Sequence, residues 1–283
     1  MLSVRQRNLS FKLANKYVLR SWFFPGLWLS DGELHSLRKI LESITLSKIQ
    51  KLPAYGVYLP SREPYMNRII SVVFDRIHGV PVGFGAMVHY SMKVETKRVT
   101  VIHLGLVITT TNRLGRDLLF LIYYYPLLYV LTLRRFRPFW VTSVSMEPSI
   151  IGAVSDNFGD VFPHYRQTTQ PSKLKRMIAE IMVNEYGHEF GMGPRAVFDR
   201  RNFVVRGSCR GPSDYLRVDY RHSAKYIVPA CNEFCESVLD YKRGDELLQV
   251  GEVSFGATVS VITRWLGTKL RRSVCKVKNR FRI

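Results

Sequence analysis

From Val101 to Leu133 the chain reads VIHLGLVITTTNRLGRDLLFLIYYYPLLYVLTL: a β-branched apolar stretch, a short polar turn and a long apolar run. A strand ending at Thr109 and turning through Asn112, Arg113, Leu114, Gly115 and Arg116 into a helix leaves unpaired main-chain N–H groups at the helix N-terminus, where anions bind. Gly115 lets the backbone approach a phosphate closely, and Arg113 and Arg116 can add charge-assisted hydrogen bonds. Groups able to move a proton surround this unit: His103 in the strand, His89 and Glu95 on or after the preceding hairpin, Glu147 after the next strand, and Tyr165 further on. Histidine, carboxylate and tyrosine side chains can all serve in general acid–base proton transfer. His103 alternates with Val101 and Gly105 on one strand face, so it reads either as such a base or as a hydrogen-bonded core histidine. His188 and Glu189, in YGHEFGMG, lack the second histidine of a zinc-protease helix, and no metal site is expected.

The elements that must hold these groups follow from periodicity and turn chemistry. Leu34, Leu37, Ile40, Leu41 and Ile44 recur at helical spacing behind a capping Ser30 or Asp31. Ile69–Ile77 and Val82–Ser91, joined through His78-Gly79-Val80-Pro81, predict a hairpin, Val99–Thr109 a strand, and Phe139–Ser145 a second buried strand followed by a short helix opened by Pro148. The order hairpin, strand, helix, strand, helix predicts a mixed α/β sheet with helices packed on it. Three zones divide the chain: a basic, aromatic N-terminal arm with a helix at 1–60, a core at 65–165, and a C-terminal extension with a basic tail at 166–283.

The mid-strand glycine in His103-Leu104-Gly105-Leu106-Val107, the Asn112–Arg116 turn, and the helix opened by Glu147-Pro148 resemble the GNAT superfamily of acyltransferases over about residues 65–165. The resemblance implies a GNAT-like fold with an N-terminal helical arm and a C-terminal extension. It also implies acyl-CoA as co-substrate, its pantetheine arm along the main chain of Leu106, Val107 and Ile108 and its pyrophosphate on Asn112, Arg113, Leu114, Gly115 and Arg116. The activity it implies is acyl transfer to an amine or hydroxyl acceptor, with Glu147, His103 and Tyr165 as the acid–base candidates. The sequence departs from the family pattern at Asn112 and Asp117 in the turn, at Glu147 in place of a strand-ending Asn, and at Val154 or Ser155 where a tyrosine acid is usual.

With 42 Lys+Arg against 22 Asp+Glu the net charge is +20. Most of it lies at the ends: Arg5, Arg7, Lys12, Lys16 and Arg20 precede the first acid, Asp31, and eight basic residues from Arg264 to Arg282 follow the last, Glu252. Such ends suit an anionic membrane surface, and their charge also attracts nucleic acid, although no recognised nucleic-acid module is present. A basic nucleic-acid-binding or peripheral membrane protein without catalysis is therefore the alternative. Cys209, Cys231, Cys235 and Cys275 lack metal spacing and read as reduced thiols of a cytoplasmic chain, one that can be peripheral to a membrane. The apolar run Leu118–Leu133 spans about 24 Å as a helix, short of a bilayer core, and reads as a buried helix.

Overall fold

The computed structural model describes residues 7–13, 16–110, 115–167, 169–209, 217–261 and 263. In chain order the elements are β1 (Asn8–Leu13), β2 (Tyr17–Phe23), α1 (Asp31–Leu46), β3 (Arg68–Asp75), β4 (Pro81–Val94), β5 (Lys97–Thr109), α2 (Gly115–Leu133), β6 (Phe139–Ser145), α3 (Pro148–Asn157), β7 (Gly159–Phe162), α4 (Lys173–Tyr186), β8 (Val197–Asp199), β9 (Val204–Arg206), α5 (Pro229–Val238) and β10 (Glu246–Val253). Among the described residues these strands form one open sheet in the order β1-β2-β3-β4-β5-β6-β10-β9-β8, with β7 also on β10. All the ladders are antiparallel except that of β5 with β6. A parallel neighbour needs a crossover, and α2 supplies it.

The mixed α/β character matches the sequence expectation, but the ends of the chain do not. The N-terminal helical arm is corrected in part: its helix is α1, but Asn8–Leu13 and Tyr17–Phe23 form strands, with Leu19, Ser21 and Phe23 buried around an exposed Arg20, which is the period-two pattern of a strand. Exposed Lys12 on the edge strand β1 discourages further pairing there. The C-terminal stretch, for its part, inserts β10 beside β6, with Leu247↔Ser145 through Val253↔Phe139 in register. All three zones thus contribute strands to the same sheet.

Helices cover both faces. On one, α1 sets Leu34, Leu37, Leu41 and Ile44 against Ile70, Val72 and Phe84, and α4 sets Ile178, Ala179 and Met182 against Val88, Tyr90 and Val101. On the other, Leu127, Val130 and Leu131 of α2 pack on Phe23, Ile69, Met87 and Ile102. From Ile122 to Val130 every α2 side chain is buried or half-buried, and no helix among the described residues is long and apolar enough to cross a membrane. Cys209, Cys231 and Cys235 are buried.

A reciprocal capping box starts α1: the Ser30 side chain accepts from Glu33 N–H, and the Glu33 carboxylate accepts from Ser30 N–H at 2.8 Å. Ser30→Ala therefore lowers stability by about 1 kcal/mol. Leu41→Ala, which empties a fully buried position, costs about 2–5 kcal/mol. Urea melts of the two variants check both the order and the size of these losses.

Candidate functional site

The parallel ladder between β5 and β6 has only three rungs, Val101↔Trp140, Ile102↔Val141 and His103↔Thr142. Both strands run on, β5 to Thr109 and β6 to Ser145, but each keeps only its other neighbour. Ser143 and Ser145 pair with Gln249 and Leu247 of β10, while Leu106 and Thr109 pair with Ala86 and Gly83 of β4. The sheet therefore opens in a V beyond His103 and Thr142.

The cause is local. The β4/β5 register passes from Val88↔His103 to Ala86↔Leu106, so Leu104 and Gly105 together stand opposite Met87. Gly105 has φ +55°, and a Cβ there would lie 2.2 Å from the Ala86 carbonyl oxygen. Only glycine fits this bulge, and the surplus residue bends β5 away from β6. Beyond it, Thr110 N–H donates to the Val82 carbonyl at 2.9 Å. By the alternation of an antiparallel ladder, the main-chain N–H and C=O of Val107 and Thr109 then face away from β4, into the V. The Gly105 carbonyl accepts from the Tyr123 hydroxyl at 3.2 Å.

At the base of the V, His103 Nδ1 lies 3.1 Å from Thr142 Oγ1, and the imidazole stacks on Phe190 with centroids 4.2 Å apart. Burial, and secondarily the nearby Arg68 charge, pushes the His103 pKa down to about 3. The ring is neutral and a weak base.

Beside the bulge lies a cleft of about 310 Å³, counting the solvent it opens to, lined by Arg68, His103, Gly105, Leu106, Glu189 and Phe190 and walled by Tyr55, Val57 and Tyr58. Arg68, the first residue of β3, is 6% exposed, and its Nε has no hydrogen-bond partner. Its Nη2 is 4.0 Å from Glu189 Oε2, which accepts the Tyr90 hydroxyl at 3.0 Å. Burial lowers the Arg68 pKa against the opposing pull of Tyr90 and Glu189; burial and the Glu189 charge raise that of Tyr90. Glu189 and Phe190 arrive on the single turn Gly187–Phe190 that follows α4. Gly191 ends that turn at φ +82°, and a Cβ there would lie 2.5 Å from the Tyr55 ring, so glycine lets this wall close.

The acid–base candidates from the sequence are not brought together: of the three, only His103 lines the cleft. Glu147 stands at the N-cap of α3, where its Oε2 accepts Ala224 N–H at 2.5 Å; burial raises its pKa while that bond opposes the rise. Tyr165 donates to both oxygens of Asp156, at 3.0 and 3.1 Å, and burial followed by that bond pushes its pKa up to about 12. His89 packs edge-on against Phe24, and Glu95 pairs with Lys173.

Leu106, Val107 and Ile108 all lie on the part of β5 released from β6. Gly115 opens α2, and Arg116 follows it; Asn112, Arg113 and Leu114 lie outside the described residues, as does the basic tail from 264 on. Sequence reasoning missed Arg68 and the cleft role of Glu189. The glycines flanking Glu189 were the available signal, since they mark a tight turn against another segment. No family model and no curated protein matches the chain.

Gly105→Ala forces a side chain onto positive φ and into main chain, and it lowers stability by about 2 kcal/mol or more, measurable in urea melts. For His103, the folded value of about 3 lies below the ordinary 6.5. As the pH falls from 6.5 towards 3 the unfolded chain takes up a proton that the fold refuses, so stability present above 6.5 is lost across that window. His103→Gln shows a shallower loss than the native protein in melts over this range; equal slopes would contradict the assignment.

Proposed function

We propose that the chain is an acyltransferase that moves an acyl group from acyl-CoA to an amine or hydroxyl acceptor. The observation carrying this reading is the V between β5 and β6, whose β5 edge offers the main-chain groups of Val107 and Thr109. The amides of a pantetheine arm carry one donor and one acceptor each and suit such an edge, as an added strand does. The same strand leads toward the N-terminus of α2, where Arg113, Gly115 and Arg116 would meet the pyrophosphate. The resemblance of this stretch to GNAT acyltransferases supports the same assignment.

In the reaction the acceptor nitrogen or oxygen bonds to the acyl carbon and the carbon–sulfur bond breaks. The proton lost by the acceptor ends on the CoA sulfur. Holding the two reactants side by side supplies most of the rate in such a transfer. Glu189 suits the role of proton acceptor better than the sequence candidates do, because its carboxylate lines the cleft at the bulge. His103 is a buried weak base, and neither Glu147 nor Tyr165 is among the residues that line the cleft.

Titration with CoA tests this. At a concentration about 100 times Kd, CoA stabilises the protein by about 2.7 kcal/mol, read as a rise in Tm. Arg113→Ala weakens CoA binding by about tenfold or more, as loss of a hydrogen bond to a charged group requires. A native protein whose Tm does not move in millimolar CoA would contradict the reading.

A further inference from the structure

We propose that the cleft beside Gly105 binds a small zwitterion, an α-amino acid with an apolar or aromatic side chain, and that its amine is the group acylated. The second half of this statement rests on the acyltransferase reading; the first half stands on the cleft alone.

Arg68 carries the argument. A buried guanidinium is costly unless its donors are met, yet Nε has no partner, and the nearest carboxylate oxygen, at 4.0 Å, is beyond hydrogen-bond reach. That carboxylate, on Glu189, takes a hydrogen bond from the Tyr90 hydroxyl. The cleft therefore presents one cation and one anion side by side, each with capacity left. A lone carboxylate or a lone amine would complement one and leave the other worse off. A ligand bearing ammonium and carboxylate on a single carbon complements both at once, its carboxylate toward Arg68 and its ammonium toward Glu189. Tyr55, Val57, Tyr58 and Phe190 then face its side chain.

The chemistry balances without a further reagent. The ammonium gives one proton to Glu189, and the freed nitrogen attacks the thioester carbon. The carbon–nitrogen bond forms, the carbon–sulfur bond breaks, and the nitrogen sheds a second proton. One of the two protons ends on the CoA sulfur and the other in solvent, while the ligand carboxylate stays with Arg68. The products are an N-acyl amino acid and CoA.

The test is calorimetric binding of L-phenylalanine, 2-phenylethylamine and 3-phenylpropionate to the full chain without acyl-CoA. L-Phenylalanine is expected to bind at least about tenfold more tightly than either truncated analogue, since each leaves one of the two cleft charges unmet. Arg68→Leu erases the preference over 2-phenylethylamine. Glu189→Gln, at a less buried position that keeps the fold if Arg68→Leu does not, erases the preference over 3-phenylpropionate. Equal binding of the amine and the amino acid, or no binding of L-phenylalanine, leucine or valine at millimolar concentration, would overturn the proposal. Failure here with an intact CoA response overturns the acceptor assignment alone; amino-acid binding with no CoA response upholds the cleft and overturns the acyl-transfer reading.

Discussion

Leu104 and Gly105 together face Met87 across the β4/β5 ladder, and that surplus residue governs the geometry on both sides. It is tolerated because Gly105 alone can occupy φ +55° against the Ala86 carbonyl. Toward β6 it ends the parallel ladder after His103 and Thr142 and turns β5 outward. On the sheet face that carries α1 and α4, the bulge residue Gly105 lines the cleft. The flanking ladders limit the opening: β4 grips β5, and β10 grips β6. An open strand edge in the middle of a sheet is costly unless something pairs with it, which is the physical reason to expect a ligand there.

The second constraint is electrostatic. Arg68 stands at the end of β3 under the Tyr55 loop, with its charge buried and incompletely hydrogen-bonded. The neutral His103 ring beside it adds no further charge, and its bond to Thr142 keeps it oriented at the base of the V. The turn bearing Glu189 supplies the counter-charge from an element remote in sequence, α4, and Gly191 allows the close approach that brings it in. Bulge, buried cation and glycine-rich turn thus converge on one concave surface.

Much of the central fold was legible locally. The β-branched run ending at Thr109, the Phe139–Ser145 strand and the capped helix with Leu34, Leu37, Leu41 and Ile44 all carry their signals in neighbouring residues. The N-terminal strands were harder because Lys12, Lys16 and Arg20 among aromatics imitate an amphipathic helix; the alternation of Leu19, Arg20, Ser21, Trp22 and Phe23 was the contrary signal. The place of β10 was invisible, since its pairing with β6 joins residues about a hundred positions apart and nothing local specifies it. The site divides in the same way. Gly105 stands out in a strand, whereas the burial of Arg68 and its meeting with Glu189 are tertiary facts. Glu147 and Tyr165 looked chemically available, but their polar atoms are taken by Ala224 and Asp156.

The central claim is that the β5 edge within the V is a binding surface for the arm of acyl-CoA. Residue-resolved amide hydrogen exchange, with and without CoA, tests it most directly, because the Val107 and Thr109 amides face the V while those of Leu106 and Ile108 are already held by β4. The account predicts that CoA slows exchange at Val107 and Thr109 and leaves Leu106 and Ile108 unchanged. Slowing elsewhere in the sheet with Val107 and Thr109 unaffected would contradict it.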